Sequence, residues 1–251
     1  IIGLFDDDAD GKYNIKLIKY DYTTSEMLGT DGRDYFGPNY YDGGDNPNYI
    51  GNMEETTIVG FHWNSDTSTS KRGSNDWSTS ELNKINLNTN YINYLNNING
   101  KWVDMIATTT WHLGGLSDSG TDAYTAKEFY NAERSNKVYD SNPTTYRDEI
   151  GLMYVSDYGY AASPKYWTTN VDYYDDGAIN DNWMYMGFWE WTITPDIYYD
   201  NNEAFCIYDS GYSVSNFADT INSVRPSFYL NTNVSIIGGI GTSSDPYRLA
   251  V

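Results

Sequence analysis

Residues 189–195 read W-E-W-T-I-T-P, residues 203–214 E-A-F-C-I-Y-D-S-G-Y-S-V, residues 224–231 V-R-P-S-F-Y-L-N and residues 238–249 G-G-I-G-T-S-S-D-P-Y-R-L. Each is a short run with strand character, closed by turn formers such as Pro195, Gly211 and Gly241. Strung together they predict a small antiparallel sheet that ends in a hairpin. Successive strand residues point to opposite faces, so Cys206 shares a face with Ala204 and Tyr208. A small buried apolar role suits it, with a reactive thiol as the alternative. Arg225 stands on an otherwise apolar strand, ahead of Pro226. It is expected to form a buried or half-buried ion pair that locks the loops; a direct ligand contact is the alternative.

Outward from this quarter, the chain divides by pattern. Residues 1–20 read as a hairpin: I-I-G-L-F is apolar, D-D-D-A-D-G turns, and Tyr13 to Tyr20 alternates. Residues 21–80 are loop-rich, with a short strand at Thr57–Phe61. Ser78 and Glu81 fit a capping box that starts a helix, with Leu82 and Ile85 on one face. Tyr91, Tyr94 and Leu95 mark a second short helix. A further turn, Lys101 to Ile106, directs Trp102, Val103 and Ile106 inward. Thr125 and Glu128 form another capping box for a helix ending near Ser135. I-G-L-M-Y-V-S-D-Y-G-Y, from Ile150, reads as a buried strand turning into a helical turn. Strands and helices are segregated along the chain, so the class is α+β, and we read one domain over 1–251.

The order of these motifs resembles bacterial surface proteins with a C-type-lectin-like fold. The resemblance is clearest at D-W-S-T-S-E-L, at I-G-L-M-Y-V-S-D-Y-G-Y and from Trp189 onward. That superfamily includes formylglycine-generating-enzyme-like domains, the variable proteins of diversity-generating retroelements, and pilin-associated head domains of Gram-positive bacteria. It implies an antiparallel sheet with helices and long loops, and an insertion around residues 30–75. It also implies that the two chain ends pair: the strand around Ile1–Phe5 or Ile15–Ile18 should share a sheet with the hairpin around Tyr247–Val251. Proteins of this kind often carry a pilin-like helix or an anchor upstream, and the opening Ile1-Ile2-Gly3 reads as a processed or truncated start.

Composition narrows the function. The formal net charge is -20 and the pI about 4.1. That opposes nucleic acid and anionic membranes, which both need a positive field. Mean hydropathy is -0.63, polar for a folded chain. The 26 Tyr, 8 Trp and 8 Phe nevertheless give it much to bury. One cysteine permits no internal disulfide, and without a second the oxidase chemistry of formylglycine-generating enzymes lacks support. No run of apolar residues is long enough to span a membrane.

Two candidate sites emerge. Asp6, Asp8 and Asp10, followed by Gly11, match the start of a calcium loop. Leu17 stands where a closing glutamate belongs, so a weak Ca2+ site and a solvated acidic turn are both open. The second candidate is the Tyr- and Asn-rich window of residues 192–219. Asp196, Tyr198, Tyr199, Asn201, Asn202, Tyr208, Tyr212, Asn216 and Phe217 use the palette of adaptable binding loops, in which Tyr supplies rigid contact area. A nucleotide bias toward Asn and Tyr codons gives the same letters. In retroelement-diversified relatives the variable surface occupies this region. Strand alternation would gather Asp196, Tyr198, Tyr199, Tyr208, Tyr212 and Phe217 on one exposed face.

His62 and His112, each beside a tryptophan, suit hydrogen-bonded structural roles. No nucleophile elbow, zinc-protease, P-loop or dinucleotide signature is present. The reading is a non-catalytic bacterial extracellular or cell-surface domain that binds a host or bacterial surface protein or a glycan. A filament or pilus subunit that self-associates is the first alternative. A formylglycine-generating-like enzyme or a glycosidase is the second.

Overall fold

The structure, a computed structural model, describes residues 1–38, 46–68, 70–117, 123–198, 201–242 and 244–251. Among them no helix is long and apolar enough to cross a membrane. The chain begins with β1 (Gly3–Phe5) and β2 (Asn14–Ile18), then α1 (Ser25–Leu28), β3 (Tyr35–Pro38) and β4 (Val59–Phe61). A π-wound segment, Leu82–Tyr91, runs straight into α2 (Ile92–Asn99) and is followed by α3 (Lys101–Asp104). The middle holds β5 (Thr109–His112), α4 (Ala126–Glu133), β6 (Thr145–Asp148), β7 (Ile150–Gly151), α5 (Val155–Ala161) and α6 (Asp176–Asn180). The last quarter is β8 (Glu190–Asp196), β9 (Glu203–Ile207), β10 (Ser213–Phe217), β11 (Asn222–Ser223), β12 (Ser227–Tyr229), β13 (Ser235–Gly238) and β14 (Arg248–Ala250).

The result is mixed helix and sheet. Six strands lie in the order β10-β9-β8-β11-β4-β3, and four in the order β1-β2-β12-β7. Among the described residues every pairing within these two sheets is antiparallel except the short contact of β11 with β8, and an isolated parallel bridge joins Leu116 to Asp196 at the end of β8. Pro195 sits well inside this sheet, where a missing N–H usually breaks a strand. The ladder bulges between Trp191 and Pro195, the place where a sheet tolerates proline. The bulged residues bond elsewhere: Ile193 N–H donates to Met153 O at 2.9 Å, and the Thr192 hydroxyl to Phe205 O at 2.7 Å.

The N-terminal hairpin does join the C-terminal quarter, but not at the expected place. β2 pairs with β12, Leu17 opposite Phe228. The terminal hairpin β13–β14 forms its own two-stranded sheet. Ile236, Ile237, Ile240 and Tyr247 on it are exposed. The expected pairing of the first strand with residues 247–251 is therefore corrected. The strand carrying V-R-P-S-F-Y takes that edge of β2 instead, with Ser227, Phe228 and Tyr229 opposite Ile18, Leu17 and Lys16.

Helix starts were legible where the cap is local. Thr125 accepts from Glu128 N–H, and Glu128 answers through Thr125 N–H, so α4 opens on the expected box. The helix after Trp77 does not. Its first free amides, Glu81 N–H and Leu82 N–H, donate to the buried carboxylate of Asp34 at 2.7 and 3.1 Å. Glu81 instead accepts from Arg33 N–H. In the π-wound segment, side-chain bonds also step by five: Asn88 Nδ2 donates to Asn83 O and the Thr89 hydroxyl to Lys84 O. That winding puts Leu82 and Leu87 in the core with Ile92 packed against them, while Ile85 is only half-buried. Trp102 is 44% exposed and points outward, against expectation. α3 is a single turn, too short to bury both faces.

The main core gathers Trp63, Trp77, Trp111 and Trp191 between the sheets and the helical block. A second cluster, with Phe129, Tyr158 and Phe205, lies beneath α4 and α5. Such rings bury roughly 150–250 Å² each, which is how a polar chain holds a core.

Candidate functional site

The candidate binding residues divide between the two ends of the β9–β10 hairpin. Tyr208 and Tyr212 bracket its turn, where Gly211 N–H donates to Tyr208 O and Tyr208 N–H to Tyr212 O. Gly211 has φ +85, and a Cβ there would meet Ile179 at 2.7 Å, so the turn needs glycine. Tyr208 stacks on Tyr212 with centroids 5.0 Å apart and meets Trp189 edge-on at 4.1 Å. Asn201, Asn202, Asn216 and Phe217 lie at the far end, five strand residues or roughly 15 Å away.

There they fasten the chain to itself. Asn202 Nδ2 donates to the Ser70 hydroxyl, and Asn216 Oδ1 accepts from Phe217 N–H and the Thr220 hydroxyl. The Arg72 guanidinium covers the Phe217 ring at 4.1 Å. Asn75 binds both Asn201 O and Asp196 O at 2.6 Å. Asp196 and Asn202 are buried; Tyr198, Asn201, Tyr208, Tyr212, Asn216 and Phe217 are half-buried. Tyr199 lies outside the described residues. The single exposed face expected for this set is therefore corrected: the polar letters of this window largely close loops.

Asp6, Asp8 and Asp10 do not converge either. Asp6 accepts from Asp10 N–H and Gly11 N–H at 3.0 and 3.1 Å, closing its own turn. Asp10 accepts from Lys12 N–H. Asp8 turns away to Thr110 N–H and the Arg147 guanidinium, both at 2.8 Å. These bonds hold the Asp8 carboxyl below its ordinary value against the opposing effect of burial, the largest single influence on it. Among the described residues no group of three or more His, Cys, Asp or Glu side chains is placed to hold a metal ion.

An open groove of about 360 Å³ lies between α6 and the β9–β10 turn. Its lining mixes the chemistry of a recognition surface: the Tyr185 ring, the Asn48 and Asn180 amides, the Asp176 carboxylate, the Ser210 hydroxyl and the apolar Ile50. Tyr185 is fixed by its hydroxyl, which donates to Asp209 O in the turn. Asp175 caps α6 through Ala178 N–H at 2.9 Å. On the other side of α6, Trp167 and Tyr160 meet edge-on at 5.2 Å, both partly exposed. Lys165 there is paired with Asp181 at 2.8 Å. Sequence reading missed this groove. Its only signal was the run Asp172–Trp183, which mixes acids, amides and aromatic residues without strand periodicity.

Two closed centres of buried charge lie elsewhere. In one, Arg225 is 2% exposed and reaches Glu190 Oε1 at 2.7 Å, Met184 O at 2.6 Å and Tyr20 O at 3.3 Å. This is the buried ion pair expected at V-R-P. In the other, Lys16 Nζ reaches Asp157 Oδ2 at 2.6 Å, with both side chains almost wholly buried. The Tyr154, Trp111 and Tyr229 rings surround Nζ at 4.1, 4.9 and 5.2 Å. Burial pushes the Lys16 amine below its ordinary value, with Asp157 pulling it back up.

Around that pair, the Tyr229 hydroxyl donates to Asp7 Oδ2, and Arg134 Nε to Asp7 Oδ1 at 3.1 Å. Glu133 accepts from Ser156 N–H, the Ser156 hydroxyl and the Thr194 hydroxyl. Burial raises the Glu133 carboxyl. His112 sits 3.7 Å from Asp7, and burial lowers its imidazole. His62 Nδ1 lies 3.4 Å from Thr220 O. Cys206 is fully buried, and burial pushes its thiol up. A separate enclosed cavity, bordered by Trp63, Trp77 and Pro195, holds only about 10 Å³. That is room for one water at most.

Compared with protein-family profiles, curated proteins and solved structures, the chain matches none.

Proposed function

We propose that the chain is a non-catalytic, extracellular ligand-binding domain of the C-type-lectin-like kind, an adhesin or receptor-binding module, with the groove beside α6 as its binding surface. The groove carries this reading. It is open and shallow, and it offers a fixed ring, two amides, a carboxylate and a hydroxyl within one concave surface. Glycans and polar protein loops are bound by such mixtures of apolar faces and convergent polar groups. The turn at Tyr208–Tyr212 forms one wall, which links the groove to the Tyr-rich window. The perturbed Lys16, Glu133 and His112 line neither this groove nor the small enclosed cavity. An enzyme places such groups where substrate can reach them.

Asp176 and Asn180 are exposed on α6, so Asp176→Ala with Asn180→Ala should leave the fold intact. On a glycan array and against bacterial and host surface proteins, this double variant should lose binding by about tenfold or more. Equal binding by wild type and variant, at unchanged melting temperature, would move the site off this groove. A second reading, a subunit of a surface filament, rests on the exposed Ile236, Ile237 and Ile240 of the terminal hairpin. Apolar patches of that kind mark contact surfaces. Sedimentation of the chain with and without residues 234–251 separates the two.

A further inference from the structure

Lys16 occupies the one fully buried position of β2. Its ammonium has three donors, yet among the described residues it has a single oxygen acceptor, Asp157 Oδ2 at 2.6 Å. The rest of its shell is aromatic: Tyr154, Trp111, Tyr229 and, at 5.9 Å, Phe5. Rings stabilise a cation through their faces, but they do not replace two missing hydrogen bonds. An ammonium–carboxylate pair also bears a desolvation cost that its mutual attraction repays only when both partners are fully bonded. The pair is thus held in contact with both side chains almost wholly out of water, within the field of Asp7 and Arg134.

We propose that Lys16 and Asp157 condense to an isopeptide bond, an internal cross-link between β2 and α5. The proximity needed is already present. With Nζ 2.6 Å from Oδ2, Cγ lies within one further bond length, close to the roughly 3–3.5 Å of a near-attack arrangement. Burial disfavours the charged ammonium of Lys16. Proton transfer within the pair gives a free amine and a carboxylic acid, and the amine lone pair attacks Cγ. Tyr154 N–H donates to Oδ2 at 2.9 Å, where negative charge develops in the tetrahedral intermediate; a fixed backbone donor there lowers the barrier. The Nζ–Cγ bond forms and the Cγ–Oδ1 bond breaks. Of the three ammonium protons, one stays on the amide nitrogen and two leave with Oδ1 as water. No oxidant, metal or co-substrate enters the balance. Glu133 supplies a further acid in the same network: burial keeps its carboxyl toward the protonated form, and it is bonded to Ser156, the residue before Asp157. The product is better matched to its cage than the ion pair, since an amide brings one N–H in place of three and neither formal charge.

The proposal is independent of what the groove binds. The test is the mass of the purified full chain after incubation at neutral pH. The wild type should be lighter than its sequence by one water. Trypsin should fail to cut after Lys16, and tandem mass spectrometry should find one branched peptide joining the segments that carry Lys16 and Asp157. Asp157→Ala should have its full sequence mass and a lower melting temperature. A wild-type chain of full mass that trypsin cuts after Lys16 overturns the proposal. So does a water-light chain without the branched peptide, which is what a cyclised Asp-Gly sequence would give. Both outcomes are read on the wild type, so they stand even if the variant fails to fold.

Discussion

Arg225 and Lys16 are both cations sealed inside the protein, each against one carboxylate, yet they are held differently. The Arg225 guanidinium spreads its donors over Glu190, Met184 O and Tyr20 O, and it also covers the Tyr22 ring. A planar fork with fixed donors suits three acceptors in fixed places. Lys16 is a point charge with one oxygen and a ring cage. The first centre ties strand to loop by geometry. The second holds two reactive groups together while leaving donors over. Burial alone therefore does not assign a role to an ion pair; the number of acceptors around the cation does.

The largest effect should come from Arg225→Met, which strands Glu190 and two carbonyls. A loss of about 3–5 kcal/mol is expected, as when one partner of a buried pair is removed, read by urea unfolding. Arg225→Lys should recover only a minor part, because one ammonium cannot reach all three acceptors. Full recovery would mean that a point charge serves at this centre as well as a planar fork. Tyr229→Phe comes next. It removes the hydroxyl that donates to Asp7, so a buried acceptor loses a partner at about 1–3 kcal/mol. It should leave the Arg225 centre untouched, and additivity with Glu190→Gln in a double-variant cycle checks that the two centres are independent.

The smallest effect belongs to a half-exposed control, Asp148. Burial and its neighbour Glu149 raise its carboxyl to about 7. The folded state therefore holds a proton that the unfolded chain releases near pH 4. That contribution to stability is complete below about pH 4 and is lost as pH rises through about 7. Asp148→Asn cannot ionise, so it should gain on the wild type between pH 4 and pH 8. Solvent screening keeps the gain to about 1 kcal/mol or less. Melting curves of both proteins at the two pH values decide it.

Much of this was legible where the cause is local. The cap at Thr125, the buried thiol of Cys206 and the ion pair of Arg225 followed from neighbours in the chain. The Ser78 box failed because Asp34, forty-seven residues before Glu81, took the amides that a local cap would have satisfied. The winding of Leu82–Tyr91 failed the ordinary helical spacing for the same kind of reason: Asn86 donates to Leu28 O and Asp31 O, contacts that local spacing does not encode. The Tyr- and Asn-rich window misled because composition does not distinguish an amide that greets a ligand from one that ties a loop, as Asn202 and Asn216 do. Lys16 left a faint signal. Alternation in N-I-K-L-I places it with Asn14 and Ile18, opposite Ile15 and Leu17, but nothing in the sequence named Asp157 as the partner.

The pairing of Leu17 with Phe228 has a consequence in time. Synthesis exposes β2 about two hundred residues before β12 exists, so the four-stranded sheet cannot close until Ser227–Tyr229 has emerged. Sheets assembled from such distant segments form late and slowly. Until then the amine of Lys16 stays in water and remains an ordinary lysine, open to acylation or to proteolysis beside it. Tyr229 is the last wall of its cage to arrive, so the isolation of that side chain reports the completion of folding.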